Sequence, residues 1–341
     1  MRILGIETSC DETAAAVVIN GRTVCSNVVY TQIAKHRPYG GVVPEIACRA
    51  HLENLSEIIE EALGAAETTW HDIDAIAVTR GPGLASSLLI GIATAKGLSL
   101  STGKPLLGVN HLEGHVYSVF LGEHAPRPED VCPLVLLLAT GGHTSLVLMR
   151  GLGDYEVLAS TCDDAAGEAL DKGAKLLGLG YPGGPEIERA AEGGNPKAID
   201  FPRGFKGQKN ELRFSFSGLK TSLRYYFEKH PDTPLPDLAA SYQEAVIDAL
   251  SQQLERALTL HSEAKAFACV GGVAKNKRLR ARLDNLSDKT GLPLLLTEMQ
   301  YCTDNAAMIA GAAGAREHPP APLCLDATPN LGFALDLPLT P

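Results

Sequence analysis

Two short apolar runs, each closed by a tight turn, constrain this chain most. They are Arg2–Glu7 (RILGIE) ahead of TSCDET, and Pro133–Ala139 (PLVLLLA) ahead of TGGHT. Apolar runs of this length between turn signals read as buried strands. The elements after each run come in the same order. After the first come strands at Ala14–Ile19 and Thr23–Tyr30, joined at Asn20-Gly21, then a helix over Pro44–Ala66. A strand at Ala75–Thr79, the turn RGPG and a helix from Leu84 complete that half. After the second come strands at Ser145–Met149 and Tyr155–Ser160, then helices after Asp164 and Pro185. Long helices near Ser217–Glu228 and Asp237–Ser262 lead to a strand at Ala266–Val270, the turn GGVAKN and a helix from Lys277. The pattern is three antiparallel strands, helix, strand, glycine turn, helix, given twice. It specifies a duplicated α/β fold with a cleft between the halves. The Pro-rich stretch between Glu123 and Pro133 marks the boundary. The expected lobes are residues 1–127 and 128–341, with the final helix and tail able to pack back on the first.

At 341 residues and 45% hydrophobic content, the chain can fill two cores. Its net charge of −10 argues against non-specific nucleic-acid binding, so any such role needs a local basic patch or basic partners. None of the eight cysteines forms a CxxC pair, and their scatter suits buried thiols of a reducing compartment. MRILGIETSC reads directly as a first strand rather than a signal segment. The apolar stretch Leu84–Leu100 is interrupted by Ser86, Ser87, Thr94, Lys96 and Ser99, which suits a buried helix better than a membrane span. A cytoplasmic protein is expected.

Several motifs carry chemistry. Asp11 and Glu12 lie in the first turn; Thr140, Gly141, Gly142 and His143 lie in its counterpart. Either turn alone is adequately explained as a hairpin. Two matched turns plus GGVAKN favour a nucleotide clamp, because glycine lets backbone N–H groups come close to phosphate. Asn276 of GGVAKN would face the cleft. In HLEGH, the four-residue step from His111 to His115 turns about 400° on a helix, so both imidazoles share a face. That geometry suits two metal ligands. Zinc peptidases place a glutamate beside the first histidine. Here Glu113 is rotated about 200° from it and reads as solvent-facing or as a support to the ligands. Asp304, in TDNAAMIAGAA, reads by position as a helix N-cap. Seven basic residues stand against two acidic ones between Asn195 and Tyr226, interleaved with Phe201, Phe205, Phe214, Phe216, Tyr225 and Tyr226. That mixture suits a nucleic-acid surface. A second basic run holds Lys275, Lys277, Arg278, Arg280 and Arg282. Taken singly, each run is as well read as a solvated face.

The segments GIETSCDET, YGGVVPE, RGPGL, NHLEGH, GGHT, DDAAGEALDK, YPGGP, FSFSGLKT, GGVAKN and YCTDNAAMIA together resemble the bacterial TsaD family of tRNA threonylcarbamoyltransferases, from Arg2 to about Gly314. The resemblance implies an actin-like ATPase fold (ASKHA, RNase H-like), with two lobes around a nucleotide cleft. It implies transfer of the threonylcarbamoyl group from threonylcarbamoyl-adenylate to N6 of the adenosine just 3′ of the anticodon, in tRNAs reading codons that begin with A, with release of AMP. It makes His111, His115 and Asp304 the ligands of one divalent ion, Fe(2+) by the family's usual assignment, with Zn(2+) also suited. It places substrate contacts at Ala139, Thr140, Gly141, Gly142, His143, Asp171, Gly184, Glu188 and Asn276, and Asp11 and Glu12 beside the reacting group. Ala139-Thr140 departs from the family's common Val-Ser but keeps the hydroxyl. The implied partners are tRNA, an inactive paralogue (TsaB) and a small ATPase (TsaE).

A metallopeptidase and a non-enzymatic actin-like ATPase or regulatory module are the rival readings. The position of Glu113 disfavours the first, and the histidine pair disfavours the second. If the aromatic–basic stretch meets tRNA, reversing Lys206, Lys209 and Arg213 to Glu weakens tRNA binding and leaves adenylate binding unchanged. An unaltered tRNA affinity in a filter-binding titration would overturn that expectation.

Overall fold

The structure, a computed structural model, describes residues 1–205, 212–315 and 320–333. Lys206 and Lys209 lie outside the described residues. The chain divides into two compact units: Met1–Pro128 with Glu298–Pro341, and Glu129–Thr297.

In the first unit the order is β1 (Arg2–Glu7), β2 (Glu12–Ile19), β3 (Thr23–Thr31), a short α1 (Ile33–His36), α2 (Pro44–Ala65), β4 (Ala75–Gly81), α3 (Ala85–Thr102), β5 (Leu106–Asn110) and α4 (His111–Tyr117). The short α5 (Pro128–Val131) falls at the boundary. The second unit continues with β6 (Leu134–Ala139), β7 (Thr144–Gly151), β8 (Asp154–Ser160), α6 (Ala166–Leu176), α7 (Gly183–Ala190), α8 (Ser217–Lys229), α9 (Leu235–Leu260), β9 (Ala266–Val270), α10 (Lys277–Thr290) and β10 (Leu294–Leu296). Helix α11 (Ala306–Ala315) belongs again to the first unit.

The duplication is explicit in the sheets. The first has order β3-β2-β1-β4-β5 and the second β8-β7-β6-β9-β10. In each, the three leading strands pair antiparallel and the last two add in parallel. This α/β arrangement is that of the actin-like ATPase fold. The fifth strand of the second sheet, β10, carries no alternation in its sequence and escapes a pattern reading.

Period-two alternation assigns the faces of β1. Leu4 and Ile6 join the core formed with α2 and α3, including Leu55, Ile59, Leu88 and Ile92. Ile3 and Gly5 face the other way, where α11 lies: a Cβ on Gly5 would stand 2.5 Å from the Ala306 carbonyl oxygen and 2.9 Å from Ala310 Cβ. Glu7 continues that register and so points to the same side. Helix α11 is apolar all round and wholly buried from Ala306 to Ala313, packed on β1, β2 and α4.

The segment from Glu298, read in the sequence as the end of the second lobe, thus sits with the first. Its tail runs on along that sheet. The Ala321 N–H donates to the Leu106 carbonyl (2.7 Å), Leu325 is buried in the core, and Asn110 Nδ2 donates to the Gly332 carbonyl (2.9 Å). These contacts cover the open edge of β5. Among the described residues, no helix is long and apolar enough to cross a membrane.

The close approach at Gly5 yields a paired prediction. Gly5→Ala is expected to destabilise the protein by about 1–3 kcal/mol, since backbone lies in the way. Gly97→Ala, at an exposed position inside α3 where an added Cβ meets nothing within 4 Å, is expected to stabilise it by about 0.5–1 kcal/mol. Urea unfolding of both variants checks the signs.

Candidate functional site

Strands β1, β4 and β5 are mutually parallel, so their carboxyl ends share one edge of the sheet. Glu7 ends β1, Thr79 lies near the end of β4, and Asn110 ends β5. Asn110 Oδ1 accepts from the Leu112 N–H (2.9 Å) and caps α4, which therefore opens at this edge with His111. Every residue of α4 is buried, Glu113 included. Glu113 is therefore not solvent-facing, because α11 covers this helix: a Cβ on Gly114 would meet Ile309 Cδ1 at 2.9 Å.

His111, His115 and Asp304 converge, each offering a ligand atom within 4.8 Å of the others. Asp304 Oδ1 is 3.1 Å from His115 Nε2 and 3.5 Å from His111 Nε2. The rings are edge-on, 4.7 Å between centroids. Asn305 caps α11, accepting from the Met308 N–H (3.0 Å) while its amide donates to the Tyr301 and Thr303 carbonyls. The cap moves one residue along and the Asp304 carboxylate turns to the histidines.

A fourth residue belongs to the centre. The Glu7 carboxylate is fully buried and accepts from Thr79 Oγ1 (2.6 Å), the Ser9 N–H and His111 Nδ1 (3.0 Å). Burial pushes this carboxyl up, but the His111 ring and the Ser9 donor hold it below the usual carboxylate range. With Nδ1–H committed to Glu7, a neutral His111 aims its Nε2 lone pair at Asp304. Two negative groups then face each other with only lone pairs between them. Burial works against charging His111, yet Asp304 and Glu7 together raise its pKa to about 9. Burial lowers His115, whose Nδ1 has no partner. The donor set, two imidazoles and a carboxylate with a carboxylate behind one imidazole, could hold a divalent metal ion. Glu7 has no motif of its own. The available signal is a glutamate in the face register of an apolar strand, where an unpartnered charge would be costly.

Asp11 precedes β2 and Glu12 opens it, in the same unit. Burial, with the charges of Asp11 and Asp304, pushes the Glu12 carboxyl well above the usual range.

The remaining site residues fall in the second unit, at the equivalent sheet edge. Ala139 ends β6, and the hairpin after it is closed by Thr140 N–H to the His143 carbonyl (2.8 Å) and His143 N–H to Thr140 Oγ1 (2.9 Å). An added Cβ on Gly141 or Gly142 meets nothing within 4 Å, so this backbone is open to a ligand. Gly271, with φ of 94°, lets the turn after β9 press on this hairpin: a Cβ there would stand 2.4 Å from the Ala139 carbonyl oxygen. Asp171 Oδ1 accepts from the Gly183 N–H (2.6 Å), beside Gly184 at the start of α7. Glu188 Oε1 accepts from the Lys277 N–H (2.8 Å). Asn276 is buried, caps α10 through the Leu279 N–H (3.0 Å) and donates to Gln243 Oε1 (2.8 Å). Asp171, Glu188 and Asn276 each serve as structural hydrogen-bond partners in this unit.

In the second basic run the three arginines are tied to the fold, while Lys275 and Lys277 are exposed. Arg278 and Arg282 bind Glu244, Arg282 also binds Asp248, and Arg280 donates to the Ala274 and Thr297 carbonyls. Arg203, from the aromatic–basic stretch, likewise pairs with Asp200 and Asp248.

Known proteins resemble this chain in sequence and in fold. Residues 23–311 match the family TsaD: tRNA N6-adenosine threonylcarbamoyltransferase. A protein of that name from Brucella anthropi is 50% identical, over 98% of this chain and 96% of its own length. One from Brucella canis is 48% identical with the same coverage. The chain belongs to the TsaD family. Among solved structures, HypF from T. kodakarensis superposes with a TM-score of 0.61 at 17% identity, covering 92% of this chain and 47% of that one. The component A of the Acidaminococcus fermentans (R)-2-hydroxyglutaryl-CoA dehydratase gives 0.54 at 12%, covering 92% and 98%. At these identities the likeness is one of fold.

The exchange of roles at the start of α11 is testable. Asn305→Ala is expected to lower stability by about 1 kcal/mol through loss of the cap. Asp304→Asn is expected to cost less than Asn305→Ala. Thermal unfolding of the chelator-treated variants decides it.

Proposed function

We propose that this chain transfers a threonylcarbamoyl group from threonylcarbamoyl-adenylate to N6 of the adenosine just 3′ of the anticodon, in tRNAs reading codons that begin with A, releasing AMP. The observation that carries this reading is near-50% identity, over nearly the whole length, to proteins named for that transfer, in a chain whose His111, His115 and Asp304 converge. The proposed partners are tRNA, a TsaB-like paralogue and a TsaE-like ATPase, and the proposed location is the cytoplasm.

In the first unit, His111, His115 and Asp304 would hold one divalent ion. A set of two imidazoles and a carboxylate suits Fe(2+) or Zn(2+), and Fe(2+) is the ion proposed. Bound there, it supplies Lewis-acid polarisation of the carbamoyl carbonyl and a counter-charge for the threonyl carboxylate. Glu7 orients His111, so that Nε2 faces inward. In the second unit, the open N–H groups of Gly141 and Gly142 suit the adenylate phosphate, and Asp171 and Glu188 suit ribose hydroxyls. The adenosine N6 forms the new C–N bond to the carbamoyl carbon, the C–O bond to AMP breaks, and a proton leaves N6. N6 is a weak nucleophile, so this step depends on an activated donor and on positioning. Asp11 would take the proton, and Glu12, whose carboxyl burial and the Asp11 charge push well above the usual range, would support it by hydrogen bonding.

Incubation with the partners, the adenylate and unmodified tRNA is expected to yield the threonylcarbamoylated nucleoside after digestion. His115→Ala and Asp304→Ala are each expected to lose bound metal and at least about tenfold in rate. A purified wild-type protein that takes up no stoichiometric Fe(2+) or Zn(2+) would overturn the metal assignment, and peptide cleavage without nucleoside formation would favour the peptidase reading.

A further inference from the structure

Behind the Cys10–Asp11–Glu12 turn runs a buried polar chain. Thr13, Gln32, His36 and His51 are all fully buried, where a polar side chain needs partners. Their partners are largely one another. The Val43 N–H donates to His36 Nδ1 (3.2 Å), and His36 Nε2 lies 3.2 Å from Gln32 Oε1. Gln32 Nε2 donates to Thr13 Oγ1 (3.3 Å), Thr13 Oγ1 lies 2.7 Å from His51 Nδ1, and His51 Nε2 lies 2.9 Å from the Cys10 carbonyl.

The two ends assign every proton between them. An amide N–H only donates, so His36 Nδ1 accepts and Nε2–H donates to Gln32. A carbonyl only accepts, so His51 Nε2 carries its hydrogen and Nδ1 accepts from the Thr13 hydroxyl. Both rings are neutral and carry hydrogen on Nε2, and burial lowers the pKa of each, in agreement. The chain is polarised in one direction, from Val43 to the Cys10 carbonyl. The Gln32 backbone N–H holds the next carbonyl, that of Asp11 (3.0 Å). Two successive carbonyls of the turn are thus fixed from inside the core.

We propose that His51 is a positioning residue for the transfer reaction: through the Cys10 carbonyl it sets the turn that presents Asp11 and Glu12, and Thr13, Gln32 and His36 fix its tautomer. This rests on the reading of Asp11 as the proton acceptor.

The test is kinetic, with the full chain and its partners. His51→Leu is expected to lower kcat about 10- to 100-fold, with KM for the adenylate and bound metal unchanged. His51→Gln, whose amide nitrogen can donate to the Cys10 carbonyl, is expected to restore most of that rate. Thr13→Val, nearly isosteric, removes the hydroxyl that fixes Nδ1 and is expected to give an intermediate loss of kcat. In an Asp11→Ala background, His51→Leu is expected to add no further loss. Full turnover by Asp11→Ala itself would sink the role of Asp11. A crippled Asp11→Ala beside wild-type kcat in His51→Leu and Thr13→Val would sink the positioning role alone. So would a multiplicative loss in the double variant, because that marks a general loss of stability.

Discussion

The hydrogen bond from His111 to the buried Glu7 carboxylate is the contact on which the first unit's site turns. Glu7 has no exposure to water, so its charge is tolerable only while Thr79, Ser9 and His111 all donate to it. Those donors come from the ends of β4 and β5 and the turn after β1, which reach one place only because the three strands are parallel. Each further feature depends on that bond. It fixes which His111 nitrogen faces Asp304, and it leaves two carboxylates around an imidazole pair with one charge to be balanced. It also ties the start of α4 to the sheet.

Helix α11 supplies the other half of the constraint. Its alanines let its backbone approach β1 at Gly5, and Gly114 makes room on α4 for the Ile309 and Met308 side chains. That closeness is what brings Asp304 within reach of His115. Asn305 makes it possible electrostatically. By taking the cap, it leaves the Asp304 charge for the imidazoles rather than for the helix N–H groups.

Much of this is legible in residues, and the illegible parts have physical causes. The strands β1, β6 and β9 show as apolar runs because both faces are covered, and the His111–His115 spacing shows as one helical face. β10 does not show, since three leucines beside a proline fit helix and strand equally well. The cap at 304 or 305 does not show either: both residue types cap well, and only the path of the chain over Tyr301 decides between them. Glu113 illustrates tertiary override, a charged residue whose exposure depends on a helix far along the chain. Arg278, Arg280 and Arg282 illustrate it again. Their spacing resembles a cationic face, but their acceptors lie on α9 and on loop carbonyls that no local pattern reveals.

The duplicated fold has evolved two opposite electrostatic characters at equivalent sheet edges. After β1 the turn holds acids, and the neighbouring strand ends add Glu7, the histidines and Asp304. That edge is built for positive charge. After β6 the matching turn is Thr140-Gly141-Gly142-His143, with Gly271 pressed against it and open space where a Cβ on Gly141 or Gly142 would stand. That edge is built for negative charge. A fold serving only as a nucleotide-binding module needs the second edge and has no use for the first. A hydrolase of peptides needs a base beside its first histidine, and here the residue beside His111 is Leu112. Two units that share a single topology thus present opposite chemistry at their sheet edges, acids and imidazoles in one and glycine backbone in the other.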